Sequence, residues 1–277
     1  MSDLERRLIR PIGDPLVRFT EDPVRMIRAV RFAASHDFTI DPATWDVICE
    51  LAPAIARAAP ARLYEEMLKI FLLGSARPVF AILEKSGLLA ALFPGLIRWF
   101  AANNALPTVL QANMESLDRL RQKGLSPSPP LFLAMLFGPG LEEDALARHR
   151  DGVPYLQALD AACALFLEEL AKTVCVPGRI GGQLRRILAL QSSLHRMPPR
   201  RPASLAGRPE FADAMTYLIF ATRSKEEGRK SREWWKNFIN SPAESRPEEL
   251  TAVAAVPGKR RRRKRRRSRP AELVAAP

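Results

Sequence analysis

Apolar residues recur along this chain at three- and four-residue intervals, with polar residues filling the turns between them. Val24, Met26, Ile27, Ala29 and Phe32 form one such set, the signature of a helix with one packed face. Asp22 suits the N-cap of that helix and Pro23 its first helical position. Asp41-Pro42 open a second stretch, from 43 to about 56, with Trp45, Ile48 and Leu51 on one side. Pro60 precedes a third, whose apolar face is Leu63, Met67 and Ile70. There Arg62 with Glu66, and Glu65 with Lys69, stand at the i,i+4 spacing of surface ion pairs. Gly87 stops a helix over residues 77–86, and an apolar turn, Leu88 to Phe93, follows before Pro94.

Beyond Pro107 helix follows helix, over 108–122, 131–138, 141–149, 154–172, 179–195, 209–222 and 229–239. Leu156, Leu159, Cys163 and Phe166 keep helical spacing, as do Ile180, Leu184, Ile187 and Leu188. Breaks fall at the Pro/Ser-rich 126–130, at Pro177-Gly178 and at the Pro/Arg-rich 197–202. No alternating strand pattern competes with these helices. An all-α fold is expected.

The polar positions change the picture in one place. Arg25, Arg28 and Arg31 follow Glu21 and Asp22 at three-residue intervals, about 60° apart around the helix axis. No glutamate lies between Val24 and Ala34 to offset them. By spacing alone this is a capped helix with a solvated basic face more readily than a binding surface. Arg179, Arg185 and Arg186 similarly share one helix and could track a phosphate backbone or simply face water. Trp234-Trp235 could stack a base, although such a pair more often closes a core, and at least one is expected to do so.

Composition sets the bounds. The 277 residues are 47% hydrophobic, enough for a sizeable core. No run of about 18 apolar residues exists, and the charged N-terminus is unlike a signal peptide. A cytoplasmic protein without membrane contact is expected. Cys49, Cys163 and Cys175 have no metal-like spacing and suit small buried residues, and the three histidines are scattered, so no structural zinc site is expected. Of the net charge of +13, most lies in Lys259, Arg260, Arg261, Arg262, Arg263, Lys264, Arg265, Arg266 and Arg267, with Arg269 beyond. Such a run lacks apolar partners, and reads as a disordered arm that binds nucleic acid with strong salt dependence.

Ile12-Gly13-Asp14-Pro15, Arg18-Phe19 and the run Glu21-Asp22-Pro23-Val24-Arg25-Met26-Ile27-Arg28-Ala29-Val30-Arg31-Phe32 resemble motif D of the class II nucleotidyltransferases. That superfamily holds the bacterial poly(A) polymerases and the CCA-adding enzymes, and the Pro-Val-Arg-Met wording is closest to the former. The 60–71 stretch resembles motif E, and the Gly-Leu-Leu…Leu-Phe-Pro string at 87–94 resembles the neck–body junction. The resemblance implies that Asp22 and Arg25 read the edge of the incoming base, that Glu21 orients them, and that Arg28 and Arg31 reach phosphates. Arg62 with Glu65 or Glu66 would support the pocket. It also implies a division into a connector (1–19), neck (20–95), RNA-binding body (96–239) and basic tail (240–277).

In the family, a head domain carries Gly-Ser and Asp-x-Asp, whose carboxylates hold two Mg²⁺ ions. This chain has no Asp-x-Asp, and its one Gly-Ser, Gly74-Ser75, reads as an inter-helix loop. Asp3-Leu4 and Leu8-Ile9-Arg10 resemble the end of motif C, so the expectation is a neck, body and tail without the catalytic head. The implied substrates are ATP and RNA 3′ ends, with Mg²⁺ needed only in the complete enzyme and a separately encoded head as a possible partner. A CCA-adding enzyme and a non-catalytic RNA-binding protein are the two alternatives.

Overall fold

The computed structural model describes residues 2–223 and 226–241, and it opens with a one-turn helix α1 (Ser2–Glu5) and a strand β1 (Leu8–Ile9). Asp14 then accepts the N–H groups of Leu16 and Val17, and Pro15 follows it, so a helix α2 (Pro15–Glu21) forms where a connector was expected. Helix α3 (Val24–His36) starts one residue later than its sequence pattern suggested, with Pro23 rather than Asp22 at the cap position. Asp22 still serves that end, because its Oδ1 accepts the Val24 N–H at 3.3 Å. The helix stops at Asp37, whose left-handed backbone (φ 54°) lets the Phe38 N–H turn back to the Ala33 carbonyl at 2.9 Å.

That turn delivers β2 (Thr39–Ile40) to β1, in parallel, with Leu8 opposite Thr39 and Ile9 opposite Ile40. The pair adds a small bridge to an otherwise helical fold, and two-residue strands are too short to show alternation in a sequence. Asp41 caps α4 (Pro42–Leu51), a 3-10 turn Ala52–Arg57 continues it, and α5 (Pro60–Leu72) follows. Gly74-Ser75 is the loop before α6 (Ala76–Lys85). The cap of α6 comes from far along the chain: Asp118 accepts the N–H groups of Ala76 and Arg77 at 2.7 and 3.0 Å. Gly87, at φ 79°, turns the chain into α7 (Leu88–Leu92), followed by α8 (Pro94–Ala102) and α9 (Leu106–Gln122).

The long central helix α10 (Pro129–Arg150) is where the sequence predicted two helices separated near Pro139. An interior proline removes the hydrogen bond to the carbonyl four residues back, here that of Met135. The buried Asn113 of α9 donates to that carbonyl at 2.8 Å, so the helix passes through. Its flanking glycines have a separate reason. A Cβ at Gly140 would stand 2.3 Å from the Trp99 ring, and one at Gly138 2.5 Å from the Tyr217 hydroxyl. Trp99 in turn stacks on Phe166, with ring centres 4.9 Å apart. Past the glycines, Glu142 accepts from Tyr217 Oη at 2.9 Å and Asp144 from Trp99 Nε1 at 3.0 Å.

Around α10 pack α11 (Tyr155–Leu170), α12 (Gly178–His195) and α14 (Phe211–Ala221), with the short α13 (Pro202–Ala206) against α14 and α15 (Glu226–Asn240) against α12 and α14. Trp235 is fully buried and donates to the Leu194 carbonyl at 3.0 Å, closing the core as expected of one tryptophan in the pair. Buried side chains from Phe19 to Phe238 form one contiguous core. Four residues read as buried are not: Phe32, Leu156, Cys49 and Cys175 face solvent, leaving Cys163 as the buried thiol. Burial pushes that thiol up to about 12. No helix among the described residues is long and apolar enough to cross a membrane.

Candidate functional site

The corner between α2 and α3 brings the sequence-predicted base readers together. Asp22 is held at both oxygens, Oδ1 by the Val24 N–H and Oδ2 by Arg62 Nη2 of α5 at 3.1 Å. Arg25, one turn into α3, directs Nη1 to Glu21 Oε2 and to the Arg18 carbonyl, both at 3.1 Å. Arg18 reaches the same Glu21 oxygen at 2.9 Å. Side-chain exposure is 23% for Asp22 and 35% for Arg25, so both keep contact with solvent while their rotamers are pinned. A carboxylate offers about four acceptor positions and a guanidinium five donors, so these bonds leave each group free capacity toward a ligand.

Arg28 and Arg31, expected to reach phosphates, converge on one acid of α5. Glu66, only 7% exposed at its side chain, receives Arg28 Nε at 3.6 Å and Lys69 Nζ at 3.1 Å on Oε1. Arg31 lies 3.2 Å from Oε2, close enough for ion pairing but out of hydrogen-bond alignment. A buried carboxylate survives only with such partners, and three cations around one acid leave the cluster positive. The Arg31 guanidinium also sits 4.8 Å over the Phe32 ring. The i,i+4 pairs read from the sequence are therefore replaced by pairs between helices. Arg62 goes to Asp22, Glu66 to α3 and to Lys69 three residues on, and Glu65 is exposed, with no ion pair among the described residues.

The arginines of α12 are not one open stripe. Arg186 Nε donates to Glu210 Oε1 at 2.7 Å, Arg185 lies 3.9 Å from Asp160, and Arg179 is exposed at the first turn. The cations from Lys259 to Arg267 lie outside the described residues. Among the described residues no three His, Cys, Asp or Glu side chains converge as a metal site would require. The donor set of the described residues thus does not fit a pair of Mg²⁺ ions, and no step is assigned through them. Sequence reasoning missed the Asp118 cap and the role of Glu66 as the shared partner. Neither has a local signal, since the N–H groups on Asp118 and the two arginines on Glu66 come from another helix.

Two family models match the chain. "Polymerase A arginine-rich C-terminus" covers residues 151–269, and "Probable RNA and SrmB- binding site of polymerase A" covers 37–100. Poly(A) polymerase I of Salmonella typhi is 32% identical over 274 residues, 97% of this chain and 59% of that protein. The chain thus spans less than two thirds of the length of that relative. The CCA-adding enzyme of Limosilactobacillus reuteri is 40% identical over 123 residues, 43% of this chain and 30% of the relative. A solved tRNA-processing enzyme in its apo form shares the fold, with a TM-score of 0.57 at 18% identity over 87% of this chain and 63% of that one.

Proposed function

Because the chain belongs to the class II nucleotidyltransferase family, we propose that it is the base-selecting and RNA-holding part of a poly(A) polymerase. The complete reaction is attack of an RNA 3′-hydroxyl on the α-phosphorus of ATP, with release of pyrophosphate. The observation that carries this reading is the braced pair at the α2–α3 corner. Asp22, oriented by Arg62, would accept from the exocyclic amine of adenine, and Arg25, oriented by Glu21, would donate to ring acceptors. Pinning both side chains from a second helix or a preceding turn lowers the entropy lost when a base docks. The Glu66 cluster ties α3 to α5 and keeps surplus positive charge beside the pair, suited to phosphates. RNA would be held by the body, by Arg179, Arg185 and Arg186, and by the cations at 259–267.

No Asp-x-Asp is present in the 277 residues, so the metal-held carboxylates would have to come from a catalytic head. The test is incorporation of labelled ATP into an RNA primer, with CTP, GTP and UTP as controls. The chain alone should bind RNA in a salt-sensitive way and incorporate nothing. ATP-specific incorporation by the chain alone would refute the need for a head. The 40% identity to a CCA-adding enzyme over 123 residues supports a second reading, addition of C and A to tRNA ends. It predicts that nucleotide binding accepts CTP as well as ATP, whereas poly(A) addition predicts ATP alone. Retained RNA binding with no nucleotide affinity, and no activity with any head, would leave a non-catalytic RNA-binding protein.

A further inference from the structure

Away from the nucleotide corner, three arginines from different elements converge on one face of α9. Arg77, in the first turn of α6, has its backbone N–H on Asp118 Oδ2. Arg119 bonds Glu115 at 2.6 Å, and Arg223, just past α14, donates to Ser116 Oγ at 2.7 Å. Arg119 and Arg223 bond the adjacent α9 residues Glu115 and Ser116, and the charges of Arg77 and Arg223 both reach Glu115, so the three guanidinium groups border one surface. Glu115 is held below the usual carboxylate range first by the Arg119 hydrogen bond, and also by Arg77 and Arg223. Asp118 is buried and uses both oxygens on α6 N–H groups. Against three arginines, only Glu115 of these two acids faces solvent.

The surface continues into a groove. Arg232 of α15 donates to Thr222 Oγ1 at 2.9 Å, beside Arg223, and also lines an open groove of about 550 Å³ between α14 and α15. Its apolar wall includes Ile219 and Ile239, 43% and 46% exposed, and Lys236 stands at its edge. Cations leading to an apolar trough match the needs of a single nucleic-acid strand, whose phosphates seek charge and whose unpaired base faces seek apolar surface. A duplex keeps its base faces stacked inside and would leave the trough empty.

We propose that a single RNA strand crosses Arg77, Arg119 and Arg223 and lays a base against Ile219 and Ile239 between α14 and α15. The proposal rests on the RNA-holding reading above. The test uses the full 277-residue chain and a labelled oligoadenylate, with affinity measured across salt concentrations. Replacing all three (R77Q, R119Q, R223Q) should weaken binding about tenfold or more and lower the log–log salt slope by about 2, at roughly 0.7 per lost contact on a single strand. The R77Q/R119Q pair, both at exposed side chains, should show about two thirds of that slope change, and guards against misfolding of the triple variant. I219S with I239S should weaken binding about fivefold without moving the slope. A 4-thiouridine oligonucleotide should crosslink to α14 and α15. If the wild type binds no RNA, the RNA-holding reading falls as well. If it binds and the variants leave affinity and slope unchanged, or a duplex of equal length competes as well as the single strand, only this path is overturned.

Discussion

Helices α3 and α10 both carry residues that a helix handles badly, and both are rescued by a side chain from another helix. In α3 three arginines at three-residue spacing would repel one another. Glu66 of α5 gathers Arg28 and Arg31, while Glu21 at the end of α2 takes Arg25. In α10 an interior proline strips a partner from the Met135 carbonyl, and Asn113 of α9 restores it. The settings differ in what is left over. Around α10 the Pro139 defect is sealed in the core and its polar partner is used up. At α3 Glu66 is buried, but Glu21, Arg25 and Arg28 stay partly open to solvent, so they still have valences to offer. The same device repairs a backbone in one place and positions chemistry in the other.

Four measurements would break or sharpen that contrast. The largest effect is expected from Glu66→Ala, which leaves Arg31, 14% exposed, without its acid. Stability should fall by about 3 kcal/mol, the scale for removing one member of a buried pair, as read by urea unfolding. A loss below about 1 kcal/mol would mean that the cations relax into water and that α3 is not braced through this acid. Asn113→Leu should cost about 2 kcal/mol, because the Met135 carbonyl stays buried without its donor, and should leave nucleotide binding unchanged once stability is matched. A selective loss of nucleotide binding there would erase the distinction between the two helices.

Asp22→Asn should act in the opposite sense, changing stability by less than about 1 kcal/mol while reducing the preference for ATP over other nucleotides roughly tenfold. Equal affinities for all four nucleotides in the wild type would remove Asp22 from base reading altogether. The smallest effect concerns a pair outside both regions. Glu169 is held below the usual carboxylate range mainly by its hydrogen bond to Arg98. A carboxylate depressed on folding adds stability that is complete above the unfolded value and is lost as pH falls through the lower folded one. The Arg98→Gln variant should therefore be less stable by about 0.5 kcal/mol near neutrality, an exposed-pair magnitude, with the difference vanishing once acid has protonated the depressed Glu169 carboxyl. A difference that persists or grows in acid would point to lost packing instead.

Much of the fold was legible because helical periodicity is a local property. The face of Leu63, Met67 and Ile70, the turn at Gly87 and the burial of one tryptophan of the Trp234-Trp235 pair follow from spacing and punctuation, and the structure bears each one out. The break read at Pro139 was a sound local inference that failed, since the donor for Met135 lies 22 residues earlier in the chain. The β1–β2 bridge left no trace for the opposite reason: two residues carry no period. At the candidate site the residue types were visible from sequence, but their partners were not. Arg62 and Glu66 looked like a pair along one helix, and each instead reaches a residue near α3.

Charge, helical order and the Asp22–Arg25 spacing are thus written in the chain itself, because one turn of helix is enough to express them. Which acid holds which arginine, which side chain completes a proline-broken ladder, and that Arg77, Arg119 and Arg223 share a surface depend on contacts between residues tens of positions apart. Long-range partners are chosen by how helices pack, and packing is set by the whole core at once.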